Sequence, residues 1–132
     1  MNVQLVNRLI AISNDLIRLP QSNKKHFSFL IKKKRQIVGV GWNNGYKTEP
    51  LARKFGMRYN SIHSELAAIK SLHFAPIFLG DLKLVNIRIK IDGSLGLSRP
   101  CKNCIEMLRY FDIYHVYYTN DEGQFEYENL EV

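Results

Sequence analysis

Cysteine is nearly absent from this sequence: two occur in 132 residues, at positions 101 and 104. Two thiols cannot build the disulfide framework of a small secreted domain, and a four-cysteine zinc knuckle is excluded outright. A redox pair, part of a metal site and chance adjacency stay open for them. Long apolar runs are missing as well, since none approaches the roughly 20 residues that a membrane-spanning helix requires. The N-terminus lacks a signal-peptide layout, so the expected location is the cytoplasm, away from any membrane. Internal repeats and low-complexity linkers are also lacking, and the length suits one domain over residues 1–132. With 45% hydrophobic and 23% charged residues, the balance is that of a soluble globular protein and not of a disordered chain.

Acidic charge is in short supply. Nineteen Lys and Arg stand against 12 Asp and Glu, a net charge of +7. Such a field attracts nucleotide phosphates or single-stranded nucleic acid, although a basic surface alone names no partner. The densest basic run, Lys32-Lys33-Lys34-Arg35, lies between two β-rich segments, where it reads as a solvated hairpin tip or as a phosphate contact.

Hydrophobic periodicity gives the element order. Met1 to Leu19 reads as an amphipathic helix with Val3, Leu5, Val6, Leu9, Ile10, Ile12, Leu16 and Ile17 inward, ended by the polar break up to Asn23. His26 to Ile31 and Gln36 to Gly41 form an antiparallel hairpin. Trp42 to Asn60 is long and irregular, a length that in a compact domain is functional or partly helical. Ile62 to Phe74 has helical spacing, with Asn60 or Ser61 as its cap and Glu65 in the first turn. Leu82 to Ile91 alternates as a strand. After a loop from Asp92, Pro100 suits the first turn of a helix from about Cys101 to Tyr110. Ile113 to Tyr118 and Phe125 to Leu130 are strands joined by the Asn120-to-Gly123 turn, hence antiparallel. The order αββαβαββ predicts an α/β fold, a three-layer α/β/α sandwich around a five-stranded mixed sheet.

Two short motifs open predicted helices: His63-Ser64-Glu65 and Pro100-Cys101-Lys102-Asn103-Cys104. Zinc accepts thiolates and imidazole nitrogen, and a catalytic zinc keeps one position open for water. His63, Cys101 and Cys104 supply three ligands and leave that fourth position. Helix N-termini favour thiolate over thiol. Glu65, two residues after the ligand histidine, is placed to take a proton from water and return it to a ring nitrogen and a leaving amine. Either motif alone is common; their order, the proline and the helix placement together are not. His26, His73 and His115 have no ligand partner at a useful spacing and read as structural or exposed. Trp42 either flanks the pocket or packs under the long loop.

The motif pair resembles the signature of the cytidine/deoxycytidylate deaminase superfamily, zinc-dependent nucleobase deaminases, over about His26 to Leu130. Gly39-Val40-Gly41-Trp42-Asn43 is similar to the strand end that precedes the zinc helix in deoxycytidylate and tRNA adenosine deaminases. The resemblance implies that Asn43 contacts sugar or base and that backbone groups of Ser64 hold the base carbonyl. Serine there departs from the usual alanine. It also implies that Arg99 lines the substrate loop, meeting a phosphate or lying exposed, and that Tyr118 stands where relatives place base-stacking aromatics. Histidine in the first motif sets the chain apart from the small tetrameric nucleoside deaminases. The closing hairpin is instead shared with free-nucleoside, toxin-type and phage-type enzymes. The implied reaction is zinc-dependent hydrolytic deamination of cytosine in cytidine, deoxycytidine or its monophosphate. Deamination of single-stranded DNA or RNA is the alternative, and a non-catalytic zinc-binding module a second. Because relatives associate, a homo-oligomer is expected.

Overall fold

Strands rich in Phe, Ile, Leu and Val on both faces must be covered on both faces, and two such strands lie at the centre of this molecule. The computed structural model describes residues 1–20, 24–45, 50–57, 62–72 and 82–131. Helix α1 is Val3–Asp15, strand β1 Lys25–Lys32, β2 Gln36–Trp42, helix α2 Pro50–Lys54 and α3 Ser64–Lys70. Strand β3 is Leu82–Ile89, β4 Leu95–Gly96, helix α4 Lys102–Tyr110, β5 His115–Thr119 and β6 Phe125–Asn129. The sheet runs β2-β1-β3-β5-β6, with the two-residue β4 added beside β3. β3 and β5 are parallel, and the other pairs are antiparallel, including β5 with β6. A parallel pair needs a crossover, and here the crossover carries α4.

The alternation of β1 and β3 divides the core. Phe27, Phe29 and Ile31, with Val85, Ile87 and Ile89, pack under Leu5 and Leu9 of α1. Leu30 and Leu84 face the other way, toward Leu66 and Ile69 of α3 and Met107 and Leu108 of α4. Fully burying each such side chain contributes about 1.5–3 kcal/mol. Helices on both faces make the expected α/β/α sandwich.

Several expectations change in detail. Val3 is exposed, because the buried line of α1 runs through Leu5, Leu9 and Ser13, each four residues from the next. Asn44 and Ile62 form an antiparallel bridge, which keeps Ile62 extended and delays α3 to Ser64 with His63 at its N-cap position. Asn60, Ser61, His73 and Phe74 lie outside the described residues. Cys101 is the N-cap of α4, its sulfur accepting from the Cys104 N–H, so Pro100 stands one residue before the cap and not in the first turn. β3 ends at Ile89 and turns back into β4, which leaves Ile91 exposed. The long segment after β2 contains α2, whose Ala52 enters the core beside α3. Trp42 packs against the cluster on the α1 side.

One close approach sets the position of α3. A Cβ on Gly41 would lie 2.2 Å from the Ala68 nitrogen and 2.5 Å from the Ser64 carbonyl oxygen. Only a residue without a side chain lets the helix backbone rest on β2 there. Overpacking of this kind costs about 1–3 kcal/mol and more where backbone must move. Gly41→Ala is therefore expected to lower stability in urea by about 3 kcal/mol, and a loss below about 0.5 kcal/mol would show that α3 is not seated as described.

Candidate metal centre

The N-terminal ends of α3 and α4 meet on one side of the sheet. His63 occupies the N-cap position of α3 with extended backbone but makes no side-chain cap, which leaves its imidazole to face α4. Its Nδ1 lies 3.3 Å from the Cys104 sulfur and 3.7 Å from the Cys101 sulfur. All three ligand atoms fall within 4.8 Å of one another, the one such cluster of His, Cys, Asp and Glu among the described residues. Ligands at about 2.0–2.3 Å in tetrahedral array stand roughly 3.5 Å apart, and a soft N/S/S donor set suits zinc. The residues present fit such an ion.

The protonation pattern also asks for a cation. A hydrogen bond from the Cys104 thiol holds Cys101 down at about 4, helped by His63 and the Cys104 N–H and opposed by burial. The same shared proton pushes Cys104 upward, as do its burial and the nearby charge of Glu65. The bond to Cys101 raises His63 above the ordinary imidazole range against the effect of burial, with the negative charges of Glu65 and Cys101 adding to it. Two sulfurs thus hold one proton between them beside a carboxylate, and a divalent ion would replace it.

Glu65, only 6% exposed, sits in the first turn of α3. Its Oε1 is 3.3 Å from the Ser64 hydroxyl, and its Oε2 accepts from the Asn86 side-chain amide at 3.0 Å. Ser28 and Ser64 hydroxyls are 2.8 Å apart, so β1 and α3 join in the same buried network. In front of it opens a cavity of about 380 Å³, lined by His63, Ser64, Glu65 and Cys101 together with Asn43 and Arg99.

Asn43 reaches the cavity with its amide engaged: Oδ1 accepts from the His26 N–H at 3.0 Å, and Nδ2 donates to the Lys24 carbonyl at 2.7 Å. Arg99 is clamped to Glu128 by two bonds of 2.9 and 2.8 Å at the rim. Tyr118 does not line the cavity; it is buried against α4, with its hydroxyl 3.2 Å from Glu128. His26 does line it, which its sequence context did not indicate. Burial holds the His26 imidazole down at about 4, with Arg88, Lys24 and His63 adding to the effect, so it is neutral at physiological pH. Lys24 and Ser98 also line the cavity. The one signal that could have found His26 and Ser28 is their shared strand parity with Leu30. His115 is exposed and bonded to Tyr127, as a structural histidine would be.

The thiolate pattern has a measurable consequence in the metal-free chain. An ordinary thiol, with pKa about 8.5, reacts tenfold more slowly for each pH unit below that value. Cys101, held down at about 4 and exposed, is expected to react with iodoacetamide at a nearly constant rate down to about pH 5. Cys104, buried and protonated, is expected to stay unlabelled. Mass-spectrometric mapping checks both, and a steep fall of Cys101 labelling below pH 8 would contradict the shared-proton arrangement.

In sequence the chain matches no family model and no curated protein. In structure it is similar to the dCMP deaminase of cyanophage S-TIM5 in its apo form, with a TM-score of 0.60 and 17% identity, over 92% of this chain and 86% of that one. The same cyanophage enzyme in complex with dCMP and dUMP matches with a TM-score of 0.61 and 15% identity, over 92% and 85% of the two chains. The chain has the cytidine-deaminase-like fold, with a His-Cys-Cys group that could hold a metal ion such as zinc.

Proposed function

We propose that this protein is a zinc-dependent hydrolytic deaminase of cytosine carried by a nucleoside or its monophosphate. The observation that carries the reading is a buried carboxylate, Glu65, two residues after His63 of a three-ligand N/S/S cluster and lining the same cavity. A purely structural metal site has no use for that carboxylate. The likeness to an enzyme captured with dCMP and dUMP supports the same conclusion.

Zinc held by His63, Cys101 and Cys104 would supply the Lewis acidity that makes water a nucleophile at neutral pH. Glu65 takes a proton from the attacking water and passes it to the ring nitrogen. A second proton goes through the same carboxylate to the amino group, which leaves as ammonia while the carbon gains a carbonyl oxygen. Water and cytosine in, uracil and ammonia out, the protons balance. Ser64 backbone groups hold the base carbonyl, and Asn43 faces the sugar from the strand end. Neutral His26 presents an uncharged donor and acceptor to an uncharged base. Arg99 at the rim, and Lys24, Arg88 and Lys90 around an adjoining cavity, favour an anionic substrate.

A second reading, action on single-stranded DNA or RNA, is supported by the net charge of +7, although on the other flank Arg99 and Arg109 are paired with Glu128 and Glu106. Its mark is salt-dependent binding of oligonucleotides. Zinc-loaded protein screened by mass spectrometry against cytidine, deoxycytidine, their monophosphates and oligonucleotides separates the two readings. No turnover on any of them would sink both. Glu65→Gln is expected to keep its zinc and lose about 10²–10⁴ of the rate, whereas a variant as active as wild type would remove Glu65 from the chemistry.

A further inference from the structure

A polar side chain in the middle of a central strand is costly unless every one of its hydrogen-bonding groups is met. Asn86 is such a residue, on β3 and 2% exposed. Its Oδ1 accepts from the Ser28 hydroxyl at 2.6 Å. Its Nδ2 donates to Glu65 Oε2 and to the Ser98 carbonyl, each at 3.0 Å. The amide can point only one way, because a flipped carbonyl would confront two groups that only accept. Ser98 completes the frame by donating its hydroxyl to the Asn86 carbonyl at 2.9 Å. It lies three residues before Cys101.

Asn86 therefore touches both halves of the metal centre: the helix start bearing His63 and Glu65, and the segment that leads into Cys101 and Cys104. Nothing in its neighbourhood needs an amide for packing. A leucine there would fill the space but leave the Glu65 carboxylate and the Ser98 carbonyl without their donor. What the amide adds is a fixed orientation of the carboxylate. It pins one Glu65 oxygen from behind and leaves the other to handle the proton.

We propose that Asn86 is a positioning residue for Glu65, a crossbar on β3 that sets the carboxylate and ties it to the cysteine-bearing segment. The proposal rests on the deaminase reading for its kinetic consequence but not for the contact itself. Partners that orient a reacting group in this way are worth about 10–100-fold in activity. Asn86→Leu keeps roughly the volume but removes the donor facing Glu65 without placing a second carboxylate beside it. It is expected to lower kcat by about 10–100-fold, with KM within about threefold, zinc stoichiometry unchanged and the fold retained at reduced thermal stability. Unchanged kcat, or loss of zinc and fold together with activity, would overturn the crossbar.

A second measurement needs no variant at position 86. In the wild-type chain the Asn86 side-chain amide proton is expected downfield and slow to exchange, as befits a donor to a buried carboxylate. In Glu65→Gln it is expected to move upfield, while the Asn43 side-chain amide, bonded to backbone elsewhere, stays in place. If the wild type turns over no substrate, the deaminase reading falls, and the amide proton decides the contact alone. An Asn86 resonance indifferent to Glu65→Gln overturns it.

Discussion

The candidate centre depends on how closely α3 can lie against β2. At Gly41 the helix backbone occupies the volume that any side chain would need, with the Ala68 nitrogen and Ser64 carbonyl oxygen at the position of a would-be Cβ. Gly39 is placed in the same way two residues earlier, beneath Ser71 and Leu72. Those two positions share the strand face toward α3, so the helix settles along its length and not at one point. The Asn44–Ile62 bridge holds the chain extended up to the residue before His63. His63 then has to enter the helix at its N-cap, and its ring turns toward the sulfurs of α4. A glycine pair on an edge strand thus positions a candidate metal ligand more than twenty residues away in sequence.

A buried network holds what that seating brings together. Leaving one buried polar group unmet costs about 1–3 kcal/mol, and here the partners are Ser28, Ser64, Glu65, Asn86, Ser98 and Thr119. Each has at least one partner within the network. The Thr119 and Ser98 hydroxyls stand 2.8 Å apart, and Thr119 donates to the Gly96 carbonyl, which anchors the small β4. The inserted turn after β3 is therefore not ornamental. It folds the chain back so that Ser98 reaches Asn86 before Pro100 and Cys101 begin α4. Apolar packing decides where the layers sit, and the polar network decides the angle at which the carboxylate meets the sulfurs.

Much of this was legible in the sequence because the relevant patterns are local. The period-two alternation of β1 and β3, the helical spacing of α1 and α4 and the Asn120-to-Gly123 turn depend on neighbours a few residues apart. The His63-Ser64-Glu65 and Pro100-to-Cys104 motifs carry their own helix placement. What escaped depends on distant pairing. His26 reads as an ordinary strand residue until β1 is set beside β3 and α3, and Asn86 reads as one member of a polar strand face with Arg88 and Lys90. β4 has two residues and no pattern of its own. Tyr118 was expected at the pocket from its place at a strand end, but its parity turns it into the layer beneath α4, where Glu128 takes its hydroxyl.

The resulting site combines two opposite electrostatic demands. Its floor gathers negative charge, with Glu65 and the Cys101 thiolate a few ångströms from Cys104, which favours a bound cation. Its mouth carries Lys24 and Arg99, the latter paired with Glu128, and Arg88 and Lys90 lie beside it with Asp92. His26 stands between the two, and the cations around it add to burial in keeping it uncharged. The substrate proposed above, a neutral base on an anionic sugar phosphate, would match that gradient from floor to mouth, with the base toward the candidate metal ligands and the carboxylate. The charge around the cavity and the ligand set within it are separate features of the site, and the fold fixes the second more tightly than the first.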